Sequence, residues 1–211
     1  MKLICIGVTM SVFKCKMCGG DLEILDNATV CECEYCGTKQ TVPTADNEKK
    51  YTLFNRANKL RLNNEFDKAA GIYESIVSEF PEEAESYWGL VLCKYGIEYV
   101  DDKKTAKKIP TCHRTVPSTV LEDENFIKAI ECADTKAKTV YKAEAKVIDK
   151  LQKQILKIVE AEEPYDVFIC YKETDSNGQR TEDSAIAQDI YTELVKEGYR
   201  VFFSRVTLRD K

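Results

Sequence analysis

The sequence predicts a multidomain α+β protein with a small β module, a helical middle and the incomplete start of a parallel α/β domain. Three observations predict this fold class. Five of the ten cysteines lie between Cys15 and Cys36. Apolar residues recur at helical spacing through residues 48–163. After Pro164, two apolar runs of strand length flank an amphipathic helix.

The composition excludes several classes of protein. The 211 residues are 44% hydrophobic and 32% charged, which is typical of a globular chain. No apolar run reaches the ~18 residues that cross a bilayer, so no membrane association is predicted. The net charge of -5 argues against a protein that coats nucleic acid, and the single histidine excludes multi-histidine metal sites.

Residues 1–12 are predicted to be an N-terminal extension. Lys2 and the apolar stretch after it have some character of a secretory signal, but no small-residue cleavage site follows. A flexible or hydrophobic extension, or translation from a start upstream of Met10, explains these residues better. Without a cleaved signal, the cysteines are predicted to stay reduced in the cytoplasm.

Residues 13–45 are predicted to form the β module. Short alternating runs flank Asp26 and Asn27, which tolerate the left-handed backbone of a tight hairpin. Residues 38–42 form a third candidate strand, which Pro43 ends. A core of this size usually needs a metal or disulfides to fold.

Two pairs of cysteines, each with two intervening residues, are predicted to hold a structural zinc ion. The four ligands are Cys15, Cys18, Cys33 and Cys36. Zinc in a structural role takes four such ligands in a tetrahedron and keeps no open position. Gly19 and Gly37 follow the two pairs, where the backbone needs positive φ. Cys31 is an alternative ligand, although only Cys33 keeps the two-residue spacing to Cys36.

The stretch from Cys33 to Gly37 resembles the zinc ribbon family. A redox pair and an iron–sulfur site are the alternatives to zinc. Many zinc ribbons bind nucleic acid, and others bind protein or only fold a small module. Residues 12–42 carry three lysines against five carboxylates, which is the wrong sign for a phosphate-binding face. Nucleic-acid binding is therefore not favoured.

Residues 48–163 are predicted to be mainly helical. The first helix ends at Asn63 and Asn64, the second ends at Pro81, and a third contains Tyr87 and Tyr95. The spacing resembles a degenerate tetratricopeptide repeat, a helix pair of about 34 residues. That resemblance implies a protein-docking surface, whereas a helical spacer with its own core is the alternative.

The rest of the middle segment divides into a loop and a long helix. Residues 101–122 are predicted to be loop-like, because they contain a lysine run and two prolines. Cys112 and His113 lie in this loop and are predicted to have no catalytic role, since adjacency in sequence does not place a base. Residues 123–162 contain neither Pro nor Gly and are predicted to form a long helix with one break near Asp134.

Residues 164–211 are predicted to begin a parallel α/β domain. Residues 167–171 and 199–203 are the strands, and residues 183–197 form a helix that Gly198 ends. The stretch from Tyr165 to Lys172 resembles the opening strand of a Toll/interleukin-1 receptor (TIR) domain, with Cys170 in place of the usual serine. The resemblance implies a flavodoxin-like fold of about five parallel strands, as in bacterial proteins that place a TIR domain last.

The two strands present make this TIR domain incomplete, so a truncated reading frame or shortened protein is expected. The alternative is that the segment packs on the long helix or pairs with a second copy. TIR domains self-associate in signalling, and a subset cleaves NAD with a glutamate on a later helix. By position, Tyr171 and Lys172 would border the nucleotide pocket, and Arg205 would lead into the next loop. No catalytic residue is assigned.

The sequence therefore predicts a cytoplasmic, bacterial TIR-domain signalling or effector protein with structural Zn2+. It would act through TIR self-association and helical protein–protein contacts. NAD is expected as a ligand only of a complete TIR domain, so this chain is not expected to cleave it. The alternatives are a zinc-ribbon and helical-repeat docking protein without catalysis, and a zinc-ribbon nucleic-acid binder.

Overall fold

A computed structural model describes most of the chain, which divides into two compact units, Met1–Lys157 and Ile158–Lys211. The described residues are 13–24, 28–44, 48–105, 107–161 and 163–207. The predicted extension at residues 1–12 and the predicted turn at Asp26 and Asn27 lie outside them. Both units mix helices with short two-stranded sheets.

The predicted β module, called the cysteine module below, is described at residues 13–24 and 28–44 and contains two antiparallel hairpins. Strand β1 (Phe13–Lys14) pairs with β2 (Asp21–Leu22), and β3 (Val30–Glu32) pairs with β4 (Lys39–Thr41). The third predicted strand is thus confirmed as β4. The hairpin predicted around Asp26 is not the pairing that forms between the described strands, because each hairpin closes around its own cysteine pair.

Three helices follow the cysteine module, as the sequence predicted. They are α1 (Glu48–Leu62), α2 (Phe66–Glu79) and α3 (Ala84–Lys94). Asn64 takes a left-handed φ of 60° at the break between α1 and α2. Gly89 lets α3 approach α2 closely, because a Cβ at this position would lie 2.4 Å from the Tyr73 ring.

A β-hairpin includes the first part of the predicted loop at residues 101–122. Strand β5 (Ile97–Asp101) pairs with β6 (Lys108–Cys112), and a short 3₁₀ helix spans Val120–Glu122. Ile97 and Tyr99 alternate with more exposed residues, which is a strand pattern. The prediction was wrong for residues 101 and 108–112, because the lysines and Pro110 suggested a loop. Both strands of a two-stranded sheet are edge strands, and an edge strand tolerates proline.

Two more helices complete the first unit. Helix α4 (Glu124–Cys132) and helix α5 (Thr135–Ala161) are separated at Asp134, which confirms the predicted break. The backbone N–H of Ala137 donates to the Asp134 side chain at 2.7 Å, so this carboxylate caps α5. Tyr141 on the inner face of α5 is buried against Trp88, with the ring centroids 5.3 Å apart.

The cysteine module and the helices share one core, and charged side chains are buried within it. Lys16 Nζ lies 2.7 Å from Glu85 Oε1, and both side chains are almost fully buried. The hydroxyls of Thr41 and Tyr141 donate to Glu85 Oε2 at 2.6 and 2.8 Å. This carboxylate therefore joins the cysteine module, α3 and α5.

A second buried ion pair lies beside the first. Lys50 Nζ of α1 is 2.7 Å from Glu83 Oε2, and the Thr44 hydroxyl donates to the same oxygen at 2.7 Å. Arg61 of α1 is fully buried and donates to the carbonyl oxygens of Lys16 and Ile97. The Thr44–Glu83 and Arg61–Lys16 contacts link the module to the helices, and the other two link α1 to elements further along the chain.

The second unit contains the predicted strand–helix–strand crossover. Strand β7 (Val167–Phe168) and strand β8 (Val201–Phe202) are parallel, α6 (Glu182–Lys196) connects them, and α7 (Ser204–Thr207) follows. Gly198 takes a φ of 91° just after α6, as its predicted role requires. The two strands are shorter than predicted, because only two residues of each enter the ladder.

Candidate metal centre

Four cysteine sulfurs converge at the tips of the two hairpins. The sulfur atoms of Cys15, Cys18, Cys33 and Cys36 all lie within 4.8 Å of one another. The Cys15–Cys36 and Cys18–Cys33 sulfur distances are 3.9 and 3.7 Å. Zn–S bonds of about 2.3 Å in a tetrahedron place the sulfurs about 3.8 Å apart. The described cysteines are free thiols, so this cluster could hold a metal ion such as zinc.

Backbone hydrogen bonds shape both hairpin tips in the same way. The N–H of Gly19 donates to the Cys15 carbonyl at 2.9 Å, and the N–H of Gly37 donates to the Cys33 carbonyl at 2.8 Å. These glycines have φ values of 78° and 60°, in the left-handed region. The turn directs both sulfurs of each pair to one side, and a side chain at either glycine would strain it.

Hydrogen bonds to the Cys15 sulfur distinguish this thiol from its neighbours. The Gln40 side chain donates to it at 2.9 Å, and the backbone N–H of Met17 donates at 3.4 Å. Burial opposes ionisation, but these donors outweigh it and lower the pKa of Cys15. Burial raises the pKa of Cys18 and Cys33 instead. Metal binding would therefore displace protons from these two thiols.

Cys31 lies outside the cluster. It is on β3, opposite Gln40 of β4 in the strand register. Burial raises the pKa of its thiol to about 11. The four cysteines that spacing predicted are the four that the structure brings together. Gln40 was not predicted, because its contact with Cys15 crosses between the hairpins and follows no spacing rule.

The other predicted site residues lie in the second unit. Tyr171 packs on Phe203 with ring centroids 5.3 Å apart. Lys172 has an exposed side chain. Arg205 Nε lies 3.5 Å from a carboxylate oxygen of Glu173. Tyr171 and Arg205 thus follow the carboxyl ends of the two parallel strands, where ligands of α/β sheets bind.

The His113 side chain contacts the β5–β6 hairpin and α2. His113 Nε2 lies 2.5 Å from Glu98 Oε2 across the β5–β6 hairpin, and its ring packs on Phe66. Burial raises the pKa of the Cys112 thiol, which disfavours the reactive thiolate. Cys112 is partly buried against the core.

Comparison of the chain with protein families, with curated proteins and with solved structures finds no match. In the part of the chain that the structure describes, no helix combines the length and apolar character needed to cross a membrane.

Proposed function

We propose that this chain is a zinc-stabilised docking scaffold that carries the first elements of a TIR-like signalling domain. The observation that carries the proposal is the four-sulfur cluster within a core shared with the helices. Four thiolates fill every position of tetrahedral zinc, so the metal would have no site for a substrate. When bound, zinc would supply a cross-link between the two hairpins.

The residues of the site hold the module in place against the helices. The Gln40 amide donates to the Cys15 sulfur and accepts from the backbone N–H of Lys16 at 3.2 Å. Lys16 then pairs with Glu85 of α3. A ligand loop is thereby tied to the helical surface, and this favours a rigid platform over a catalytic centre.

The free thiols of the described cysteines are consistent with a protein that resides in a reducing compartment. All nine cysteines in the described part of the chain are free, and a zinc site needs them reduced. The cytoplasm is such a compartment. We place the protein there.

The second unit supports a signalling role through its resemblance to a TIR domain. Its strand–helix–strand order agrees with the start of that family, and Phe168 and Tyr199 are half or more exposed. Exposed aromatic side chains favour burial against other protein. NAD cleavage is proposed only for a complete TIR domain, since the family's glutamate lies on a later helix.

The first experiment combines metal analysis with partner capture. Purified full chain should contain one zinc per chain by mass spectrometry, and Co2+ in its place should give the absorption of tetrahedral thiolate coordination. In-cell cross-linking should recover a protein partner, which a Cys33→Ser, Cys36→Ser variant should lose. Cys31→Ser is the matched control, because it removes a neighbouring thiol outside the cluster.

Other outcomes would favour the competing functions. Release of nicotinamide from NAD by purified chain would indicate an enzyme. Binding of RNA or DNA with a steep salt dependence would indicate the nucleic-acid alternative. If the chain folds identically with and without metal, the proposed structural role of zinc would be wrong.

A further inference from the structure

A groove on the first unit runs between α4 and α5. Its volume is about 340 Å³. Its apolar lining residues come from the 3₁₀ helix and α4: Leu121, Phe126, Ile127 and Ile130. Ile127 is 45% exposed and Leu121 is 40% exposed. Helix α4 spans nine residues and is about 13 Å long, and its residues between Phe126 and Glu131 line the groove.

The α5 side of the groove is basic. Lys142 and Lys146 line it, and Lys138 and Lys150 continue the same row at four-residue spacing. Like charges at this spacing destabilise an isolated helix, because they repel each other along one face. The lysine row therefore lowers the stability of α5. It is also a local positive surface on a chain whose net charge is -5.

Local carboxylates do not neutralise the two groove lysines. Glu131 on the opposite rim pairs with Lys128 of its own helix at 2.7 Å. Glu144 of α5 accepts from the Tyr99 hydroxyl. Within the described residues, neither Lys142 nor Lys146 forms an ion pair, whereas Lys153 further along α5 pairs with Asp149. Two positive charges thus border an apolar groove.

These features define the occupant by its chemistry. An apolar groove between helices accepts the apolar face of another helix, whose side chains enter at successive turns. The lysine row selects carboxylates on the flanking face of that helix. A nucleic acid would leave the apolar walls of the groove uncovered, so the combined apolar and basic lining favours a helix of protein.

We propose that the groove between α4 and α5 binds an acidic amphipathic helix of a partner protein. The assignment rests on the proposed docking function and gives it a location. Lys142 and Lys146 contact carboxylates of the partner helix, and Ile127 and Leu121 contact its apolar side chains.

The test uses the zinc-loaded full chain and two fluorescein-labelled helical probe peptides of about four turns. Both have leucines at helical spacing, and the remaining positions are glutamate in one and lysine in the other. Fluorescence anisotropy measures Kd against wild type, the double variant Lys142→Glu, Lys146→Glu, and Ile127→Glu. The matched control is Lys103→Glu, Lys104→Glu, which reverses two exposed lysines in the β5–β6 turn.

The glutamate probe should bind wild type more tightly than the lysine probe. The Lys142→Glu, Lys146→Glu variant should weaken the glutamate probe about tenfold and tighten the lysine probe, while the control changes either Kd less than twofold. Ile127→Glu should also weaken the glutamate probe, and added salt should weaken it further. Circular dichroism should show unchanged helix content, because all these substitutions are at exposed positions.

Three results with the probes would overturn the groove assignment. The first is equal affinity of wild type for both probes. The second is an equal loss of affinity for the glutamate probe in the control variant. The third is that phosphatidylserine vesicles or single-stranded RNA bind the lysine row while the glutamate probe does not. Cross-linked partners that bind the Lys142→Glu, Lys146→Glu variant as well as wild type would overturn the groove alone. If zinc-loaded wild type recovers no cross-linked partner at all, the proposed function itself would be contradicted.

Discussion

Replacement of Glu85 by alanine tests whether the buried ion pair holds the cysteine module on the helices. Lys16 Nζ is 2.7 Å from the carboxylate, and the two side chains are 1% and 5% exposed. Without Glu85, the Lys16 ammonium stays buried with the Thr41 hydroxyl, 2.7 Å away, as its described side-chain partner. Removing one member of such a pair costs about 3–5 kcal/mol.

Two lost hydrogen bonds act in the same direction as the lost charge. The hydroxyls of Thr41 and Tyr141 would no longer have Glu85 as an acceptor. Each such bond contributes about 1 kcal/mol net. We expect Glu85→Ala to lower the free energy of unfolding by at least about 3 kcal/mol, a factor of more than 10² in the folding equilibrium.

Urea unfolding of zinc-loaded protein at pH 7, followed by circular dichroism, measures this loss. The control is Glu79→Gln, which breaks an ion pair with Lys49 whose side chains are 43% and 65% exposed. It should cost less than about 1 kcal/mol. The double variant Lys16→Met, Glu85→Leu should cost less than Glu85→Ala, because no charge remains buried without its partner.

A loss below about 1 kcal/mol for Glu85→Ala would refute the reasoning. The same is true if the exposed control costs as much as the buried variant. A double variant less stable than Glu85→Ala would show that packing, rather than the unpaired ammonium, sets the cost.

Three further perturbations give separate tests. Gln40→Leu removes the donor to the Cys15 sulfur and should weaken zinc about 10–100-fold in chelator competition, and unchanged affinity would contradict that role. In urea unfolding, Gly89→Ala should lower the free energy of unfolding by about 1–2 kcal/mol, because its Cβ would meet the Tyr73 ring. Gly71→Ala in α2 has open space around its Cβ and should raise that free energy by about 0.5–1 kcal/mol. Asp134→Ala should cost about 1 kcal/mol at pH 7 and Asp134→Asn less, because asparagine also caps a helix. The Ala137 N–H lowers the pKa of Asp134 below 3.8, so its contribution is present above that pH and is lost as the pH falls through the lowered pKa. The difference in Tm between wild type and Asp134→Ala should therefore shrink on acidification, and a constant difference would contradict the cap.

The features that the sequence predicted correctly depend on local patterns. Amphipathic spacing identifies α1–α6 because each helix buries one face, and Asp134 marks the break since an acidic cap needs no distant partner. The two cysteine pairs are recognisable because a metal fixes their spacing. The parallel pairing of β7 with β8 follows from two apolar runs with a helix between them.

The features that the sequence did not predict depend on partners far along the chain. Lys16, Lys50 and Arg61 look like surface residues, but each is buried by a contact 33 or more residues away. The β5–β6 hairpin was missed because its strand alternation is short and its second strand contains Pro110. Gln40 was missed since a sulfur acceptor across two hairpins leaves no mark in sequence spacing.

The shared core has a consequence for the order in which the protein is made. The four clustered cysteines leave the ribosome before the helices, and Tyr141, which completes the Glu85 network, follows Cys36 by more than a hundred residues. At roughly 5–20 residues per second, this delay is about 5–20 s. Metal capture by the nascent cysteine pairs would precede the helices on which they later pack. Ribosome-bound chains that end before α4 should then already bind Co2+, and failure to do so would place metal binding after synthesis.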